Sequence, residues 1–514
     1  MSAERAVTYR SGHLTATDFR AFKQQGRPLV LDDAARAGVD RAANVVAAIA
    51  IRDESVYGIN TGFGKLAQRR IPREQLSQLQ VNLVISHACG VGPPLPAHVV
   101  RLILALKVNS LARGFSGIRW SVLEMLEACL ERDLLPVVPA KGSVGASGDL
   151  APLAHLASTL IGVGDATYRG ERMPAARALE RAALAPLALQ AKEGLALLNG
   201  TQVSTALALD ALVEAEDVLA ASLVAGALTI EAALGSVRPF DERIHAIRGH
   251  REQSDVAASL RALLATSEIN DSHRDCGRVQ DPYSLRCMPQ VLGACLHALR
   301  DAWHVLVEEA NGVSDNPLVF VDTGEVISGG NFHAEPVAQI ADTLAIAIAE
   351  IGNISERRTA LLVDPTFSAL PAFLATDPGL ESGYMIPQVT SAALASENKL
   401  LAHPASVDSI PTSAGQEDHV SMATHGAYRL RTMLDNARAI VAIEMLAAVR
   451  GIGFRRPLRT SQPLESAIAS IEPAKETGDR FIAPDIERVA GLIAAARFTP
   501  LVAGLFPSVD AHRH

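Results

Sequence analysis

The sequence predicts a mainly α fold, a bundle of long helices in place of a layered sheet. Three observations carry this expectation. Residues 204–234, 284–310 and 336–362 keep apolar side chains at helical spacing, and each run makes roughly seven turns or more at about 1.5 Å per residue. Hydrophobic residues form 48% of the chain but aromatic residues only 4%, so the core is largely Ala, Leu, Val and Ile, which favours closely packed helices. Strand signals are short, near residues 27–31, 319–321 and 325–327, with no β–α alternation between them, which argues against a doubly wound sheet.

Taken in order, the chain opens with MSAERAVTYRSGHLTATDF, which lacks the apolar centre of a signal peptide. After the strand signal at 27–31 comes a polar loop, YGINTGFG (57–64), and then a second, SHACGVG (86–92). Two amphipathic runs, 97–112 and 118–134, read as helices. The stretch KGSVGASGDLAPLAHLA (141–157) is a Gly- and Ser-rich loop opening into an apolar run, and NGTQ (199–202) leads into the first long helix. Within that helix the most apolar window, 218–230, is closed by Asp217 and Glu231; it is too short to span a membrane and reads as buried. QDPYSLR (280–286), the strand signals at 319–327, GGNFHAE (329–335) and TSAGQEDH (412–419) complete the series. A chain of 514 residues is long enough for about two to four folding units. The expected division is a loop-rich N-terminal domain, 1–203, and a long-helix domain, 204–514, with a C-terminal helical cap.

A net charge of −9 without any basic block argues against a nucleic-acid partner. The five cysteines, Cys89, Cys129, Cys276, Cys287 and Cys295, are odd in number and form no CxxC, so they are expected as reduced thiols in the cytoplasm. No HExxH is present and the fifteen histidines do not fall at ligand spacing, so no metal is expected.

The Gly-Ser loop fits none of the common ligand motifs. Its glycines, 142, 145 and 148, give GxxGxxG with no strand before them, and no lysine follows the last; a dinucleotide fingerprint and a P-loop are both excluded. Ser147 sits in GASG, not in the GxSxG of a hydrolase elbow. Two readings remain. One is a glycine-rich turn that places Asp149 near the next helix N-terminus. The other is chemical: the amide nitrogen of Gly148 attacks the carbonyl carbon of Ala146, one water leaves, and a second water lost from Ser147 leaves an exocyclic methylene. Ala146 is small enough to permit the bend, Gly148 leaves its nitrogen uncrowded and its φ free, and Ser147 supplies the hydroxyl.

That loop, GSVGASGDLAPLAHLA, resembles the signature of the aromatic amino acid ammonia-lyases, whose prosthetic group is 4-methylidene-imidazol-5-one (MIO). The resemblance runs on through YGINTGFG, NLVISHACGVG, EGLALLNGTQ, VQDPYSLRCMPQ, SDNPLVF, SGGNFHAEPVA and SAGQEDHVSM, covering residues 57–422 in order. Within the family it is nearest the members that act on histidine. It implies a mainly α, fumarase/aspartase-like fold with a central bundle of long helices. It implies a homotetramer with active sites shared among three subunits, and MIO formed from Ala146, Ser147 and Gly148 in the N-terminal domain, with no dissociable cofactor. The implied reaction converts L-histidine to trans-urocanate and ammonia, the first step of histidine degradation.

The resemblance also implies roles. Tyr57 matches the base for the β-hydrogen; its structural alternative is a loop tyrosine against Asn60 and Phe63. A phenol near pKa 10 is a poor base unless that value is lowered, so a positive environment is expected, such as a helix N-terminus. Arg286 suits a two-bond grip on the substrate carboxylate, its alternative being an ion pair, and Tyr283 matches a hydrogen-bonding or proton-relay partner. Asn199 matches a residue beside MIO and the carboxylate, or else forms an Asn-Gly turn. His87 and Glu417 bear on specificity: Glu417 accepts a hydrogen bond from the substrate imidazole, and a pocket built for a polar group rejects an analogue lacking it by about 10⁴–10⁵-fold. Asn331 and Phe332 match residues packed beside MIO, Gln280 and Gln416 match supporting donors, and Asp149 either assists ring closure or caps its helix. Lys65 and the run GYMIPQ at 383–388 lie where the family varies. The rival readings are a tyrosine or phenylalanine ammonia-lyase, an MIO aminomutase, and a non-catalytic homologue that keeps the fold.

Overall fold

The computed structural model describes residues 7–25, 29–274, 279–471 and 478–510. Cys276 and the first two residues of the strand expected at 27–31 lie outside them. The remainder of that strand, Leu29–Leu31, pairs in parallel with Val7–Tyr9.

The chain divides into two compact units, each gathered from separated segments. The first comprises Met1–Asp210, Trp303–Asp342 and Pro404–Tyr428; the second comprises Ala211–Ala302, Thr343–His403 and Arg429–His514. The first N-terminal segment thus runs past residue 203 and is joined by two later ones.

In the first unit, helices form at Ala97–Leu111 and Trp120–Glu131, where the apolar periodicity places them. From Leu102 onward every side chain of the former is buried, which explains its weak amphipathic contrast. Leu134–Pro136, Asp165–Tyr168 and Glu171–Pro174 form a three-stranded antiparallel sheet. Strands of three or four residues carry too little alternation to be read in advance. Contrary to the reading that no strand precedes the loop glycines, the short strand Pro139–Lys141, paired antiparallel with Val91–Pro94, leads into the Gly-Ser loop, after which the helix Leu150–Leu160 begins. The strand signals at 319–321 and 325–327 pair as a hairpin, Leu318–Phe320 against Glu325–Ile327.

The second unit holds the greater part of the four longest helices, Gln202–Ala232, Met288–Asn311, Glu335–Val363 and Ala423–Gly453. Three of them realise the long runs seen in the sequence. The run at 284–310 breaks after a single turn, Tyr283–Arg286, and restarts at Met288. Pro289 explains the restart, because proline lacks the N–H that a helix interior needs but fits the first turn. The fourth helix escaped notice because Arg429, Arg431, Asp435, Arg438 and Glu444 interrupt its apolar spacing. Inside this unit Arg358 and Glu444 form a fully buried ion pair, with Nε–Oε1 at 2.5 Å. Thr229 and Ser355 donate to the same carboxylate at 2.7 and 2.6 Å. Gly226 allows the approach of Met288, since a Cβ there would lie 2.5 Å from its sulfur.

Glu335–Val363 is long and apolar enough to cross a membrane by composition, but 72% of its most apolar window is buried in protein. Residues 483–505 pass the same test, yet they form a helix Ala483–Ala494 and a separate 3₁₀ segment, Thr499–Leu505, with Ala496 between them at φ +56°. Among the described residues Cys89, Cys129, Cys287 and Cys295 are free thiols.

Candidate active site

The Gly-Ser loop is fixed by backbone contacts that only glycine permits. Gly148 adopts φ +69°, and a Cβ on it would fall 2.2 Å from the carbonyl oxygen of Gly200. Gly200, at φ +132°, would place a Cβ 2.5 Å from Gln202 Oε1. The two segments therefore meet backbone to backbone, and the Asp149 N–H donates to Gly200 O at 2.7 Å. Two further segments hold the loop from elsewhere in the first unit. The Met422 N–H donates to Val144 O at 2.8 Å, and Ser421 Oγ donates to Gly145 O at 2.8 Å. The Ala334 N–H reaches Gly145 O at 3.3 Å.

Asp149 is fully buried and does not cap its own helix by side chain. Its Oδ2 accepts from the Val203 and Ser204 N–H groups at 3.0 and 2.8 Å and from Ser204 Oγ at 2.9 Å. Its Oδ1 accepts from Ser143 Oγ at 2.8 Å and from Thr424 Oγ1. The carboxylate thus caps the start of Gln202–Ala232, where orphan N–H groups and the helix dipole favour a negative charge.

Ser147 is held at both ends. Its carbonyl oxygen accepts from Asn199 Nδ2 at 2.7 Å, and its hydroxyl donates to Glu417 Oε1 at 2.6 Å. Glu417 Oε2 accepts from Thr412 Oγ1 and Ser413 Oγ at 2.6 and 2.9 Å. Burial pushes the Glu417 carboxyl up, but the hydroxyls of Ser147, Thr412 and Ser413 and the charge of His87 outweigh it and hold it below the usual carboxylate value. His87 turns Nδ1 to Leu83 O at 2.8 Å; a carbonyl only accepts, so Nδ1 carries the proton and Nε2 remains for another partner.

Tyr57, His87, Ser147, Asn199, Phe332 and Glu417 line one cavity of about 1110 Å³, together with Ala146 and Gln416. The Gly64 N–H points at the Tyr57 hydroxyl at 3.5 Å, and Lys65 and Arg69 line the same space. Asn331 lies apart, donating to Val313 O at 3.2 Å. Gln280, Tyr283 and Arg286 belong to the second unit. There Arg286 Nε donates to Asp281 O at 3.1 Å, its Nη2 donates to Gln280 Oε1 at 3.3 Å, and its guanidinium stacks over the Tyr283 ring at 4.4 Å. Gln280 and Arg286 line a second cavity of about 1070 Å³.

The sequence did not single out the buried cations beneath Asn199. Lys107 Nζ donates to Ala196 O and Asn199 O at 3.2 and 2.8 Å. Burial lowers its pKa from 10.5 to about 7, against the attraction of Asp315 and Asp149 and with the repulsion of Lys192. Lys192 itself pairs with Asp315 at 3.0 Å, both buried. Nor could spacing reveal His333, Glu335 and His419, whose potential ligand atoms lie within 4.8 Å of one another. In that group His333 Nε2 meets the His419 carbonyl at 3.3 Å and its Nδ1 at 3.4 Å.

Comparison with known proteins shows which family the chain is similar to. Residues 14–473 match the family model described as aromatic amino acid lyase. The chain is 58% identical over 497 residues to a histidine ammonia-lyase of Burkholderia pseudomallei (strain 668), covering 96% of this chain and 98% of that one. The crystal structure of histidine ammonia-lyase from Trypanosoma cruzi superposes with a TM-score of 0.89 at 40% identity, covering 98% of this chain and 96% of that one. A tyrosine aminomutase from Streptomyces globisporus superposes with a TM-score of 0.91 at 34% identity, covering 97% and 99%.

Proposed function

The chain belongs to the aromatic amino acid lyase family, and we propose that it eliminates ammonia from L-histidine to give trans-urocanate, with an electrophile made from its own Ala146, Ser147 and Gly148. The observation that carries this reading is the two-ended hold on Ser147, by Asn199 and Glu417, in a cavity that Tyr57 and His87 also line.

The residues present fit MIO. Ala146 is buried, and Gly148 has a left-handed backbone, which glycine adopts without strain. The carbonyl of Ser147, which would belong to the ring, already faces a donor. Once formed, MIO supplies an electrophilic carbon for the substrate amine, which makes ammonia a better leaving group. The Asn199 amide stabilises negative charge on the Ser147 oxygen, as preorganised donors do. Tyr57 takes the β-proton, a step worth about 10²–10⁴-fold, with the Gly64 N–H beside its oxygen. Glu417 and His87 offer a carboxylate and an imidazole nitrogen to the substrate ring, so phenylalanine would leave them unpaired.

Arg286 binds the substrate carboxylate, and Tyr283 and Gln280 support it. Its guanidinium is oriented by the Asp281 carbonyl, Gln280 and the Tyr283 ring. Gln280 and Arg286 line a different cavity from Ser147 within one chain, which supports a homotetramer whose sites draw loops from three subunits. The segment that carries Asn331 and Phe332 meets the precursor loop through the Ala334 N–H on Gly145 O, and Phe332 and Gln416 line the cavity. The acidic composition and the unpaired thiols among the described residues support a cytoplasmic enzyme that acts on a small molecule and not on nucleic acid.

The deciding assay adds L-histidine and follows urocanate absorbance, with L-phenylalanine and L-tyrosine in parallel. Urocanate is the expected product; faster cinnamate or coumarate formation would move the chain to another branch of the family. S147A is expected to lose nearly all turnover while keeping its helical spectrum.

A further inference from the structure

We propose that Glu417 acts before substrate arrives, as the positioning residue that holds the Ser147 hydroxyl for elimination during formation of the electrophile. This rests on Ser147 being the precursor. Ring closure joins Gly148 N to Ala146 C. The Ala146 oxygen leaves as water with the protons of the Gly148 and Ser147 amides, and a C=N bond remains. The second step breaks the Cα–H and Cβ–Oγ bonds of Ser147, forms Cα=Cβ, and releases the hydrogen and the hydroxyl as the second water. That step is stereoelectronic: the Cβ–Oγ bond must stand across the ring plane, so that the electrons freed at Cα overlap it. A free serine side chain samples three staggered rotamers. Here the backbone oxygen is tied to Asn199 at 2.7 Å and the hydroxyl to Glu417 Oε1 at 2.6 Å, which selects one of them.

Glu417 is itself immobilised for this work. Its Oε2 is occupied by Thr412 and Ser413, leaving Oε1 for Ser147. Its backbone pairs with Thr412 in both directions, at 2.9 and 3.4 Å. Loss of the Ser147 hydroxyl then vacates Oε1 and leaves it to the substrate imidazole, which the Glu417 carboxylate is proposed to bind. One carboxylate oxygen serves maturation first and recognition second, and the departure of the second water is what hands it over.

The test is the intact mass of the peptide holding residues 146–148 from folded wild type, E417A and E417Q, with far-UV circular dichroism as the check on folding. Wild type is expected to lack two waters. E417A should accumulate the species lacking only one, because ring closure does not use Glu417. E417Q keeps an acceptor oxygen and should again lack two. If folded E417A lacks both waters like wild type, or lacks none, the proposal is overturned. The same holds if E417Q matches E417A. If wild-type protein itself lacks no water, the failure lies with the prosthetic-group reading instead.

Discussion

Lys107 is a lysine whose surroundings reverse the usual expectation. It is buried under Asn199, and burial lowers its pKa from 10.5 to about 7. The unfolded chain therefore holds this proton more tightly, and between about pH 7 and 10.5 it binds more protons than the folded chain. Stability contributed through this group must rise with pH in that window and level off below it. K107M removes the titration, so the urea midpoint of wild type should gain on that of K107M from pH 7 to pH 9.5; parallel profiles would contradict the burial argument. At this scale the sequence was legible where a motif brackets the residue: Tyr57, His87, Ser147, Asn199 and Glu417 do line one cavity. It was silent on Lys107, Lys192 and Asp315, because a buried charge is defined by partners distant in sequence. Asp149 sat between the two cases. Its place before a helix was visible, but the helix it serves begins 53 residues later, at Gln202.

Elements show the same division. Long apolar runs announced three of the four longest helices, whereas Ala423–Gly453 did not stand out among its charges. The small sheets were mostly unread, since three-residue strands are made by pairing and not by local pattern. The contact between Gly148 and Gly200 belongs here too, because it joins the end of one loop to the entry of a long helix. G148A puts a Cβ 2.2 Å from the Gly200 carbonyl in a left-handed conformation, so something must shift. The variant should fold with its helices intact, fail to shed the two waters, and fall to the residual turnover of S147A. Wild-type-like mass and activity in G148A would remove the need for this close approach.

At the scale of the whole molecule, two features govern behaviour. The first is the ion pair of Arg358 and Glu444, fully buried with Thr229, Ser355 and Ser222 around it. Removing one partner strands the other, so E444A should lose about 3–5 kcal/mol in denaturant unfolding, with a smaller loss if both are replaced by apolar residues of similar volume. The second is the placement of two proposed site residues, Ser147 in one unit and Arg286 in the other. Purified S147A and R286A should each be inactive alone. Unfolded together and reassembled, they should recover a clear fraction of wild-type turnover, since some sites then combine intact halves. Failure of mixed assemblies to recover activity would count against shared sites. No local pattern announces units woven from three segments apiece, because the pairing of distant segments is settled by packing.

The bond between Asp149 and the start of Gln202–Ala232 has a consequence for the living cell. The methylidene proposed for this loop would react with thiols and amines anywhere it was exposed. Gly148 meets Gly200 where Asp149 also gathers the amides of Val203 and Ser204, so the proposed precursor loop is tied to the start of the long helix. On the proposed reading, a chain that has not made these contacts would remain an ordinary peptide, and the reactive group would form only after the loop has docked on the helix start.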